Sequence, residues 1–154
     1  MRRRIDSTMI VKLRLVALMG LLVSANVSAL EYRSVSESAA ILYDAPSTKA
    51  QKLFLLSRGY PVEVVVVLEG WTKVRDDTGE FAWIETVRLS DRHTVMIKVA
   101  GAEARQNPNE DSPVVFTAEK GVFLELIGMA TGWAKVRHAD GAIGFVKVSQ
   151  LWGV

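Results

Sequence analysis

The sequence predicts an all-β protein: two tandem small β-barrels behind an N-terminal signal-peptide helix. Three observations predict it. A six-residue run occurs twice, as Gly70-Trp71-Thr72-Lys73-Val74-Arg75 and Gly132-Trp133-Ala134-Lys135-Val136-Arg137, 62 residues apart. The match continues without a gap from Pro46 and Pro108 to Leu89 and Leu151, so one structural unit is present twice. Short apolar runs alternate with Gly, Pro and Asp turns, and no stretch beyond the first 29 residues has helical periodicity. Finally, a basic stretch (Arg2, Arg3, Arg4, Lys12, Arg14) precedes the apolar run Leu15 to Val23.

Residues 1–29 are expected to be a secretory signal peptide, cut between Ala29 and Leu30, with a cut after Ala25 as the weaker alternative. The apolar run is shorter than the roughly 20 residues that span a bilayer, so no membrane anchor is expected once it is removed. No Cys stands near the cut, which excludes a lipoprotein. The full chain carries 19 Lys and Arg against 17 Asp and Glu. Five of the basic residues and Asp6 belong to the leader, so the exported chain holds 14 against 16, a net charge of −2 with His neutral. The basic balance is therefore a property of export and no footprint of nucleic acid. Without Cys there is neither a disulfide nor a thiol nucleophile, and stability rests on core burial.

The first unit spans 30–91. Ala40 to Tyr43 reads as a strand that Pro46 ends, and Leu53 to Leu56 as a second. Arg58 to Pro61 turns into the longest strand, Val62 to Glu69. Strict alternation puts Val62, Val64, Val66 and Leu68 on the inner face, and Glu63, Val65, Val67 and Glu69 on the outer one. Gly70 turns the chain into the Trp71 strand, Asp77-Thr78-Gly79 turns it back, and Glu80 to Glu85 completes a five-strand unit. In the Trp71 strand, Trp71, Lys73 and Arg75 share the outer face and Thr72, Val74 and Asp76 the inner. Trp71 is then either a lid on the barrel or an exposed stacking platform.

The second unit, 92–154, repeats the plan. Arg92 to Ala100 leads in, Asn109 to Pro113 makes a polar loop, and Val122 to Ala130 is the long strand. Its outer apolar pair, Ile127 and Met129, answers Val65 and Val67. These four residues are expected to pack the units together or to form a homodimer seam. The short link at Ser90 to His93 favours a fixed mutual orientation, and Trp152 is expected to cap the second barrel.

These motifs resemble the bacterial SH3-like (SH3b) family. The matching residues are Pro46, Gly59 with Pro61-Val62, Gly70-Trp71 with Val74, Gly79, Trp83-Ile84 and Leu89 in the first unit. In the second they are Ala104-Arg105 with Pro108, Gly121, Gly132-Trp133 with Val136, Gly141, Gly144-Phe145-Val146 and Leu151. Two departures stand out: Tyr43-Asp44-Ala45 replaces the usual Arg-Ser-Gly, and Phe145 replaces the closing Trp. Leu42-Tyr43-Asp44 has a superficial likeness to the polyproline-binding stretch of eukaryotic SH3 domains, which we read as coincidence. The resemblance implies two SH3-like barrels acting as a non-catalytic binding module of the cell envelope, periplasmic or secreted, that holds peptidoglycan or wall peptides. An adaptor between envelope proteins is the alternative. A ligand would use aromatic faces beside polar groups, which nominates Tyr43, Trp71, Trp83 and Trp133, with Arg105 from the family's opening motif. His93 and His138 lack ligand partners at metal spacing, and no nucleophile elbow or phosphate loop occurs, so no metal, cofactor or catalytic residue is expected.

Overall fold

The computed structural model describes residues 30–36 and 39–154; the expected signal peptide lies outside the described residues. The first sheet contains β1 (Glu31–Val35), β2 (Ala39–Tyr43), β3 (Lys52–Ser57), β4 (Pro61–Leu68), β5 (Trp71–Arg75), β6 (Phe81–Glu85) and β7 (Leu89–Ser90). The second contains β8 (Thr94–Ile97), β9 (Ala102–Arg105), β10 (Val114–Ala118), β11 (Phe123–Ala130), β12 (Trp133–Arg137), β13 (Ile143–Lys147) and β14 (Leu151–Trp152). Strand order is the same in both: β3, β2, β6, β5, β4, β1, β7 and β10, β9, β13, β12, β11, β8, β14. The only helical pieces among the described residues are 3₁₀ turns at Thr86–Arg88 and Val148–Gln150. The all-β class and the paired SH3-like barrels expected from sequence are what the chain forms.

Each unit holds seven strands where the sequence suggested five. The additions are β1 with β7 and β8 with β14, which extend each sheet past its longest strand. Each barrel closes over its own core. Val35, Leu42, Val62, Val74 and Ile84 fill the first, and Ile97, Leu124, Val136 and Val146 lead the second. The turns between β4 and β5 and between β11 and β12 need a left-handed residue, and Gly70 and Gly132 each supply φ of 77°.

Alternation along the longest strands fails at one place in each copy. Val64 opposes Val74 and Val66 opposes Lys73, so Val65 is the extra residue of a β-bulge. Ile127 holds the same position between Leu126 and Gly128. A bulge reverses the faces beyond it. Val66 and Leu68 therefore oppose the outward Lys73 and Trp71, while Val67 and Met129 oppose Thr72 and Ala134. The expected outer pairs, Val65 with Val67 and Ile127 with Met129, do not form one face. Nor do they join the units: Val65, Val67 and Met129 are exposed and Ile127 is half-buried.

The units meet instead through β1 and the start of β4 on one side and β8, β11 and β14 on the other. Ser34, 1% exposed, is the centre of this seam. Its Oγ lies 2.5 Å from the Arg92 carbonyl and 2.7 Å from Thr94 Oγ1, and it accepts the Thr94 N–H at 3.1 Å. Thr94 Oγ1 also reaches the Gly59 carbonyl at 2.6 Å. Two hydroxyl protons thus serve three oxygen contacts. Trp152 belongs to this seam as well as to the second barrel: its Nε1–H donates to the Pro61 carbonyl at 3.1 Å, and its ring meets Tyr32 edge-on at 5.6 Å.

Candidate functional site

The repeat sorts the five nominated ligand residues into two equivalent places. In the first unit β2 ends at Tyr43, which opposes Trp83 of β6, and the Tyr43 and Trp71 rings meet edge to face at 5.4 Å. Tyr43 is only 4% exposed, so it supports Trp71 from below and offers a ligand almost no surface. Trp71 and Trp83 are half-buried and keep one part of each ring in solvent. Lys73 opposes Trp83 across the ladder and sets its ammonium 5.4 Å from the Phe81 ring centroid.

In the second unit the position of Tyr43 is taken by Arg105, which opposes Phe145. Trp133 is buried to 9% exposure, and Lys147 Nζ stands 5.8 Å over its ring. Arg105 pairs with Glu103 and also donates Nη1–H to the Ser112 carbonyl at 2.7 Å. Lys147 pairs with Glu110 at 2.7 Å. That hydrogen bond, aided by the charge of Lys147 and more weakly of Arg105, holds the Glu110 carboxyl below its usual range. These groups border a cleft of about 180 Å³ with Trp133 at its base and two cations and two carboxylates on its rim.

The alternatives of lid and platform are therefore divided between the copies. Trp133 is covered by Lys147, whereas Trp71 is more open beside the buried Tyr43. The structure brings Tyr43, Trp71 and Trp83 together, and Arg105 and Trp133 together, in separate barrels. Sequence reasoning did not pick out Lys147, Glu103 and Glu110. Lys147 follows the aromatic residue of the closing motif by two positions, which places both on the outer face of one strand, and that spacing was the available signal. Glu110 sits in a loop and carries no such mark. Among the described residues no group of three His, Asp or Glu could hold a metal ion.

Among solved structures the chain is similar to NlpC2 from Trichomonas vaginalis, at 15% identity and TM-score 0.38, covering 80% of this chain and 48% of that one. It is also similar to NlpC1 from the same organism, at 17% identity and TM-score 0.38, covering 83% and 47%. A third is an NlpC/P60 family protein from Bacillus cereus, at 15% identity and TM-score 0.37, covering 79% and 56%. The chain thus spans about half the length of these proteins. No curated protein matches it. The family model for the bacterial SH3 domain matches twice, over residues 36–91 and 98–153. With the repeated sheet order and the Gly-Trp strand in each copy, the chain belongs to the bacterial SH3 domain family and carries its domain in duplicate.

Proposed function

We propose that the protein is an exported, non-catalytic binding module that holds peptidoglycan, through its peptide part, in the cleft over Trp133. The observation that supports this is the rim of that cleft. Two cations, Arg105 and Lys147, alternate with two carboxylates, Glu103 and Glu110, above an indole. A wall peptide carries both amino and carboxylate groups on short aliphatic side chains, and a mixed rim around an aromatic base meets both signs without an unpaired charge. The two carboxylates are exposed and the two cations half-buried, so the pairs lie at the water boundary and can exchange partners at small cost.

The test is co-sedimentation of the purified protein with intact peptidoglycan sacculi at low and moderate salt. Saturable binding that survives moderate salt and falls in Lys147→Gln and Arg105→Gln, with both variants folded by circular dichroism, supports the reading. Binding that disappears at moderate salt, or is untouched by both substitutions, refutes it. Trp71→Ala reports in the same assay on whether the first barrel contributes.

A second reading, an adaptor between envelope proteins, draws on the end of β4. Val65, Val66, Val67 and Leu68 are all exposed there, four consecutive apolar residues on a hairpin arm. Val67→Glu separates the two. It should leave sedimentation with sacculi intact, and should abolish self-association or capture of an envelope protein if this arm is the contact.

A further inference from the structure

We propose that the cleft between the two units is a binding site for an oxyanion, a carboxylate or phosphate group carried on a larger body. It shares no residue with the Trp133 cleft, and its argument does not depend on the wall-binding reading.

The cleft is about 320 Å³ and is bordered by Arg58 and Gly59 from the first unit and by Arg92, Phe123, Glu125 and Arg137 from the second. A second hollow of about 260 Å³ adjoins it, sharing Arg58, Gly59, Arg92 and Thr94. One water occupies roughly 30 Å³ of liquid, so this space exceeds what a bare ion fills. Three guanidiniums face one carboxylate. Arg92 and Arg137 both use Glu125 Oε2, at 3.1 and 3.2 Å, with a single nitrogen each. A guanidinium has five N–H donors, so most of theirs lack a protein acceptor among the described residues. Arg58 makes no hydrogen bond or ion pair among the described residues and is exposed on the lip. The Phe123 ring, held edge-on to Tyr60 at 5.6 Å, gives the site an apolar side.

The duplication supplies an internal control. Glu63 and Arg75 repeat the Glu125 and Arg137 pair in the first unit, but the turn that follows differs. There the first copy has Asp76 and Asp77, and the second has His138 and Ala139. Asp76 is consumed within its own turn, accepting from the Thr78 and Glu80 N–H groups, and Asp77 accepts from the Tyr60 hydroxyl. The second copy's turn keeps a single carboxylate, Asp140, which accepts from the Ala142 N–H and pairs with His138 rather than with the arginines. In the first copy the space beside Arg75 is filled by Trp152, whose ring centroid is 6.0 Å from the guanidinium carbon. Around Arg137 the second copy keeps an open cleft lined by three guanidiniums and one carboxylate.

The experiment is a ¹H–¹⁵N NMR titration of the purified full chain with inorganic phosphate and, in a separate arm, succinate, each against chloride at matched ionic strength. The amides of Gly59, Thr94 and Gly141 should shift saturably with at least one of the two. A response in one arm alone identifies the group as phosphate or carboxylate, and a response in both supports the shared oxyanion site. Arg58→Gln should weaken that binding by on the order of tenfold, the worth of a charge-assisted hydrogen bond. Ala139→Asp, which restores the first copy's residue on an exposed turn, should weaken it too, and Lys120→Gln should not. Shifts that follow chloride equally, or an Arg58→Gln protein that titrates like its parent, would overturn the proposal.

Discussion

Replacing Ser34 by Ala tests whether the seam is part of the folded state's stability. The side chain is 1% exposed, so no bulk water substitutes for its hydroxyl. Removal leaves the Thr94 N–H, 3.1 Å away, without its acceptor, and the Arg92 carbonyl without its 2.5 Å donor. An orphaned buried donor costs about 1–3 kcal/mol and a lost hydrogen bond about 1 kcal/mol, so the expected loss is about 2–4 kcal/mol. With a urea m-value of about 2 kcal/mol/M, the middle of the usual range, the midpoint should fall by roughly 1–2 M. Tryptophan fluorescence reads it, because Trp152 lies in the same seam. Ser57→Ala, exposed at the end of β3, serves as the control. A loss below about 0.5 kcal/mol, the range of ordinary surface substitutions, would refute the reasoning and show that the seam opens in solution.

Three further outcomes are expected. Gly144→Ala should destabilise by about 1–3 kcal/mol, as overpacked cores do. The new Cβ would lie 2.9 Å from Ala104 Cβ and 3.2 Å from backbone on β9, and the same urea titration checks it. Gly153→Ala should also cost about 1–3 kcal/mol, the usual strain for a non-glycine residue at positive φ. Its φ is 94°, and the added Cβ would meet Pro61 Cβ at 3.0 Å and the Thr94 carbonyl at 3.1 Å across the seam, so an unchanged melting temperature would contradict this account. Glu125 has a carboxyl held below its usual range, first by its hydrogen bond to Arg92 and then by the charges of Arg92 and Arg137. Its contribution is full above the unfolded value of about 4.3 and is lost as pH falls through the lower folded value. The gap in urea midpoint between the parent and Glu125→Gln should therefore be present at pH 7 and close on going to pH 3.

The repeat made most of the fold legible. Val74 and Val136 are fully buried, Thr72 lies inward, and Gly70 and Gly132 sit at positive φ, all as the six-residue run requires. The bulge was not legible because Val62 to Leu68 is apolar on both faces except for Glu63, so a reversal of faces leaves no mark on the pattern. β1 escaped notice because Glu31-Tyr32-Arg33-Ser34-Val35 has no two-residue alternation, and β7 because two residues carry no period at all. The seam was hidden for another reason. A repeat is found through residues that agree, and the seam is made by residues that differ: Ser34 answers Met96, Tyr32 answers Thr94, and Trp152 answers Ser90. The candidate site was legible as far as its aromatic base. Its charged rim was not, since Glu110 reaches Lys147 from 37 positions away.

The seam joins corresponding ends of the two sheets, the β4, β1, β7 end of one and the β11, β8, β14 end of the other. Both copies therefore spend the same end of the sheet on this contact, although the side chains that make it differ. A patch used this way is consumed. Head-to-tail stacking leaves a free face for the next copy and grows into a solenoid, whereas this geometry is closed at two. A further SH3 module, on this chain or another, would have to attach through a different surface, and the open edges at β3 and β10 are where the sheets still offer unpaired backbone.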